Sequence, residues 1–160
     1  MEMAKMIEIQ KSKTADTRSC DFSKVTIEQL TESSVQHIGD VKKGFEFIKE
    51  CLDNSAMKHD SDKIAAIHYF HSDFVTGFKQ TGWWDAHRKT ARHHLSADDG
   101  VPSDVNLIDV LDMVVDCVMA GMGRTGSVYP LVIKDEVLQK AFQNTVEMVK
   151  AQVVVTGEKA

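Results

Sequence analysis

The sequence predicts an all-α protein, a bundle of about five main helices. Three observations carry that expectation. Apolar residues recur at helical spacing through most of the stretch from residue 26 to residue 152. Only two prolines interrupt the 160 residues, and so few favour long helices. Strand-like runs survive only at the ends, around Met6 to Ile9 and Val153-Val154-Val155.

Residues 1–25 carry little period and read as an irregular N-terminal segment. Met1 to Lys13 fits a short helix or a strand, and Ser12 to Ser23 is polar and turn-like. A single helical domain is expected over residues 26–152, with a short tail at 153–160. Its first helix opens with Thr26 and Gln29 spaced as a capping box, and Leu30, Ile38, Val41, Phe45, Ile48 and Leu52 follow at helical intervals. Asp53-Asn54-Ser55 supplies a turn and an N-cap, so a second helix is expected from about Ala56 to Lys79. A shorter third helix runs from Trp83 to around Leu95, and Ser96 to Pro102 is a loop by its local residues. Ser103 or Asp104 caps a fourth helix rich in Val, Leu, Ile and Met. Gly121, Gly123 and Gly126 predict a flexible segment reaching Pro130, before a final helix from Lys134 to Gln152.

Composition narrows the function classes. A net charge of −5 argues against general nucleic-acid binding, which calls for a basic excess. Cys20, Cys51 and Cys117 are odd in number and widely spaced, which suits reduced thiols rather than a disulfide framework or a zinc ribbon. No apolar run approaches the roughly 18–20 residues of a membrane span, and the N-terminus lacks a signal-peptide core. A cytoplasmic protein that does not engage membranes is the expectation. The apolar Val153-Val154-Val155 end would allow packing on a neighbouring subunit, so a homo-oligomer is admissible.

The chemistry centres on His59-Asp60-Ser61-Asp62-Lys63. An imidazole and a carboxylate side by side can share one divalent metal, and the second carboxylate oxygen can reach another. Lys63 lies one helical turn beyond His59, where its ammonium could meet an anion docked on that metal. His37 shares a helical face with Val41 and Ile48, which points it toward the core, where a polar ring needs a partner. His87 and His94, seven apart, project almost the same way along the third helix, whereas His93 points to the side. Asp116 joins Asp109 and Asp112 in an acidic stripe on an otherwise apolar helix. Each of these has a plainer account: a hydrogen-bonded core histidine, a histidine pair favoured by a helix C-terminus, or a solvated acidic face. Their order along separate helices is what makes them a candidate set.

That order, His37, His59-Asp60 and Asp116, resembles the HD-domain superfamily of metal-dependent phosphohydrolases, whose core is a bundle of about five helices. The run from His59 to Lys63 resembles the His-Asp-x-x-Lys form of members with more than one metal, and His87 and His93-His94 are similar to that subgroup. More narrowly, Trp83-Trp84-Asp85-Ala86-His87, Arg92-His93-His94 and Asp116 to Gly121 resemble a family of small uncharacterised phage and bacterial proteins. Asp62 departs from it, since that family usually has Ser there.

The resemblance implies that His37, His59, Asp60 and Asp116 hold one divalent ion. Asp60 would then bridge to a second held by His87 with His94 or His93. Imidazole and carboxylate ligands suit Mn, Fe, Zn, Co or Ni more than Mg. An activated water would attack a phosphoester, probed best as a nucleotide or related small molecule. Asp60 and Lys63 would be the catalytic pair, with Lys63, Arg88, Arg92 and Arg124 binding the phosphate. Trp83 and Trp84 could lie against a nucleobase, although core packing of at least one is the commoner arrangement.

Two other classes compete. One is a metal- and nucleotide-binding protein of the same fold that senses or sequesters without hydrolysis, and the other is a helical interaction module with structural histidines. Ferritin-like di-iron chemistry needs Glu-x-x-His pairs, and zincin chemistry needs His-Glu-x-x-His; neither pattern occurs.

Overall fold

The computed structural model describes residues 6–11 and 21–157. Most of the expected turn-like stretch from Ser12 to Ser23 therefore lies outside the described residues, as do Cys20 and the last three residues of the tail. The chain is all-α, with five α-helices of eight residues or more among the described residues. These are α1 (Ile27–Lys58), α3 (Ile67–Phe74), α4 (Trp83–Thr90), α5 (Leu107–Thr125) and α6 (Asp135–Gln152), with a single turn of helix, α2 (Ser61–Ala65), after α1.

Two compact units divide the chain: one of residues 1–50 with 148–160, the other Cys51–Glu147. In the first unit the two strand-like ends find each other. Strands β1 (Ile7–Gln10) and β2 (Val153–Thr156) pair in parallel, Ile7 opposite Val153 and Gln10 opposite Thr156. The apolar Val153-Val154-Val155 is thus half of a two-stranded sheet. Lys43 and Gln36 on α1 donate to the backbone carbonyls of Glu8 and Gln10 at 2.7 and 2.6 Å, which ties β1 to the helix. The capping box at the start of α1 forms as expected: Thr26 N donates to Gln29 Oε1 at 3.0 Å, and Gln29 N donates to Thr26 Oγ1 at 3.2 Å.

The first helix does not end at Asp53-Asn54-Ser55. It continues to Lys58, and the break falls on His59-Asp60. Asp60 takes a left-handed conformation, φ 52° and ψ 14°, which Asp tolerates better than most side chains. The reason is tertiary. Ser55, expected as an N-cap, instead donates its hydroxyl to Asp112 Oδ2 at 2.9 Å. The expected second helix is also divided, between α2 and α3 at Ala66, and it stops at Phe74.

The core of the second unit is Leu95, Val105, Met113, Val137 and Ala141, with Leu107, Val110, Cys117 and Ile133 packed against it. It sits beneath α5 and the residues of α6 up to Glu147. Helix α5 starts later than expected, capped by Asn106, whose side chain accepts from Ile108 N at 2.9 Å, while Asp109 accepts from Asn106 N at 2.9 Å. It also ends later. The expected flexible segment is helical to Thr125, with only Gly126 turning left-handed at φ 71°. Gly121 is buried inside the helix because the returning backbone of Ser127 and Val128 passes where a side chain would stand.

Gly100 marks a second close approach. A methyl group there would lie 2.5 Å from the His94 carbonyl oxygen and 2.9 Å from that of Arg88. Gly100→Ala should therefore cost about 1–3 kcal/mol by overpacking, read from chemical denaturation, because both obstacles are backbone.

Candidate metal centre

Four segments of the second unit converge. The break after α1 supplies His59 and the left-handed Asp60. Helix α2 adds Asp62 and Lys63, α4 and the turn after it bring His87, His93 and His94, and α5 brings Asp112 and Asp116. The histidine pair does not arrive as expected. Helix α4 stops at Thr90, Ala91 is extended, and a turn carries both His93 and His94 back toward His87. Ring centroids lie 5.0 Å apart for His87 and His94, and 4.4 Å apart for His59 and His93. His93 is therefore an inner member of the cluster, not a side group.

Two imidazoles are held alike. His59 Nδ1 stands 2.7 Å from Asp112 Oδ1, and His87 Nδ1 stands 2.7 Å from Asp62 Oδ2. A carboxylate against Nδ1 keeps the proton there and leaves the Nε2 lone pair facing outward. Both Nε2 atoms then face Asp60: His59 Nε2 is 3.6 Å from its Oδ2, and His87 Nε2 is 3.4 Å from its Oδ1. Asp116 Oδ1 lies 3.6 Å from His59 Nε2, and His94 Nε2 lies 3.1 Å from His87 Nε2.

At the centre two polar atoms are buried without a hydrogen-bond partner, Asp60 Oδ1 and His93 Nε2, 3.6 Å apart. A buried polar atom left unpaired costs about 1–3 kcal/mol. Metal–ligand bonds of roughly 2.0–2.2 Å place neighbouring ligand atoms about 3.0–3.6 Å apart, which is the spacing found here. The groups fit a divalent ion. Four overlapping sets qualify: His87, His93 and His94; His59, His93 and Asp112; His59, Asp60 and Asp116; and Asp60, Asp62 and His87.

The electrostatics favour ligand-ready forms. Burial works against the Asp60 carboxylate, yet the Lys63 hydrogen bond and charge, with His59 and His93 nearby, hold its pKa below the usual carboxylate value. Burial, then repulsion from His59, lowers His93 despite the surrounding carboxylates. His94 is lowered from 6.5 to about 4, by burial first and then by His93, His87 and Lys63. Its neutral form is thus preferred in the folded chain. Between pH 6.5 and about 4 the unfolded chain takes up a proton that the folded chain refuses. The stability arising here is complete above pH 6.5 and is lost as pH falls through about 4. Urea unfolding of chelator-treated protein should show this decline from pH 7 to pH 4, and His94→Gln should flatten it.

The aromatic surroundings are built around His87. Trp83 stacks on it at 5.0 Å and 9°, and Trp84 at 5.4 Å and 30°, while Phe70 backs Trp83 and Phe78 backs Trp84. Both tryptophans are therefore packing residues of the centre. The start of α4 is held by buried Asp73, a group the sequence did not single out. Its carboxylate accepts from the backbone N–H of Trp84 and Thr81, both at 2.9 Å, and Gln80 at 3.3 Å. Those three hydrogen bonds hold its pKa low, led by the one from Trp84.

Comparison with protein-family models, curated proteins and solved structures finds no match.

The remaining candidates fall elsewhere. Arg88 is bound by both oxygens of Asp99, at 2.7 and 3.0 Å. Arg92 grips Asp109 at 2.6 and 2.8 Å and reaches Asp104 at 3.0 Å. Arg124 is exposed in the last turn of α5. His37 is exposed on α1 in the first unit rather than core-facing, and none of the four sets includes it. The acidic stripe divides by role: Asp109 caps α5 and holds Arg92, Asp112 orients His59, and Asp116 faces its Nε2. Asp62 was visible inside the motif and Asp112 in the acidic stripe, but only tertiary contact assigns them to imidazoles.

No helix among the described residues is long and apolar enough to cross a membrane.

Proposed function

We propose that this chain is a metal-dependent phosphohydrolase acting on a small phosphoester such as a nucleotide. The observation that carries the reading is the unpartnered buried pair, Asp60 Oδ1 and His93 Nε2, amid outward-facing Nε2 atoms with Lys63 alongside. The His-Asp-x-x-Lys order, which resembles the HD-domain superfamily, supports it from the sequence. His59, Asp60 and Asp116 would hold one divalent ion, and His87, His93 and His94 a second, with Asp60 between them. Imidazole-rich sets favour Mn, Fe, Zn, Co or Ni. Such an ion supplies Lewis acidity, both to the phosphoryl oxygens and to the attacking water. The chain's own part is to orient His59 and His87 through Asp112 and Asp62, and to offer the Lys63 ammonium to phosphate oxygens.

Metal analysis of the purified protein tests this, followed by turnover assays on ribonucleotides, deoxynucleotides, cyclic dinucleotides and bis(p-nitrophenyl) phosphate. Metal uptake with hydrolysis of at least one class is expected. No uptake at micromolar metal would sink the reading. Metal without turnover would favour the second reading, a binding protein that senses or sequesters nucleotides. One observation favours that alternative: Arg88 and Arg92, expected to bind phosphate, are committed to carboxylates.

A further inference from the structure

The Asp60 carboxylate is divided between two neighbourhoods. Oδ1 is buried, unpartnered and turned to His87 and His93, whereas Oδ2 carries the Lys63 ammonium and faces His59 Nε2. Lys63 thus occupies the Asp60 oxygen that faces His59, its partner in the set of His59, Asp60 and Asp116. An ammonium and a divalent cation repel at that separation, so the two compete for the same carboxylate oxygen. The lysine has somewhere to go. Its stem is flexible, its side chain is partly exposed, and its Nζ already lies 5.8 Å from the centre of the Trp84 ring.

We propose that Lys63 is an internal stand-in cation: it holds the metal's place at Asp60 and, once displaced by the metal, becomes the receptor for an anion. This inference rests on the metal reading above and adds an order of events to it. Without metal, the ammonium is neutralised by Asp60 and has little attraction for phosphate. With metal, the ammonium loses its carboxylate and stays close to the ion, so phosphate meets two cations at once. Metal and anion binding are then coupled through one side chain, and the coupling is reciprocal.

The test is a titration of Co²⁺, followed by its visible absorbance, with and without inorganic phosphate. Wild-type protein, Lys63→Met and Lys63→Gln are compared, with circular dichroism to confirm folding. Removing the competing ammonium should tighten Co²⁺ binding in both variants about tenfold in the absence of phosphate, within the roughly 5–150-fold span of such couplings. Phosphate should tighten Co²⁺ binding to wild type and do so much less in the variants. A lysine that merely supported the fold would give the opposite sign, with weaker metal binding on removal. Equal or weaker Co²⁺ binding by both variants overturns the exchange, and so does an undiminished phosphate effect. If wild-type protein takes up no Co²⁺ at all, the metal reading falls with it. If wild type binds Co²⁺ and the variants bind it no tighter, only the lysine exchange falls.

Discussion

Asp60→Asn should leave the protein without the metal binding and the hydrolysis proposed for it. Asp60 belongs to two of the four candidate ligand sets, and both of its oxygens face imidazole nitrogens. Loss of an orienting partner costs about 10–100-fold in metal affinity, so loss of this ligand should exceed that range. Asparagine is the informative replacement because the position is left-handed, at φ 52°. Asn tolerates that conformation, whereas alanine would add backbone strain to the loss of charge. Metal content by atomic emission, together with a thermal melt, separates the two effects. A wild-type metal content in Asp60→Asn would show that the centre lies elsewhere.

The second large effect concerns two carboxylates that the sequence did not assign. Asp112→Asn should weaken metal binding about 10–100-fold, and Asp62→Asn should do so less. An amide in place of the carboxylate can donate to Nδ1, which would move the proton to Nε2 and close the face turned to Asp60. The ranking follows from exposure. The Asp112 side chain is 13 % exposed and also receives Ser55, whereas that of Asp62 is 47 % exposed and has water as an alternative. Competition titrations against a chelator of known affinity would measure both. Unchanged affinity in the two variants would remove them from the centre.

Much of the fold was legible because it is local. The helical period, the Thr26–Gln29 capping box and the strand-like ends all depend on residues close in sequence. The His59-Asp60 dipeptide, His87, His93, His94 and Asp116 were legible as residue types and as an order. What could not be read was set by contacts between distant segments. Ser55 looks like a helix cap, but Asp112, fifty-seven residues away, takes its hydroxyl. The turn that brings His93 inward rests against Gly100, whose missing side chain has meaning only beside the His94 backbone. Arg88 and Arg92 read as free cations in the sequence, and only the fold places Asp99 and Asp109 against them. Asp73 carries no local signal, because its partners are backbone N–H groups of a loop and a helix start.

The placement of the candidate ligands at chain breaks has a consequence for the life of the protein. His59 to Lys63, His87 to His94 and Asp112 to Asp116 are three separate stretches, the first just past the end of α1 and the second spanning the end of α4. An ion bound among them would act as a removable cross-link, suturing segments that otherwise meet through side-chain contacts. Free metal at a hundred times its dissociation constant would add about 2.7 kcal/mol to the folded state. A chelator would then erode the fold along with the chemistry. The supply of free metal around the protein would also govern its resistance to proteolysis.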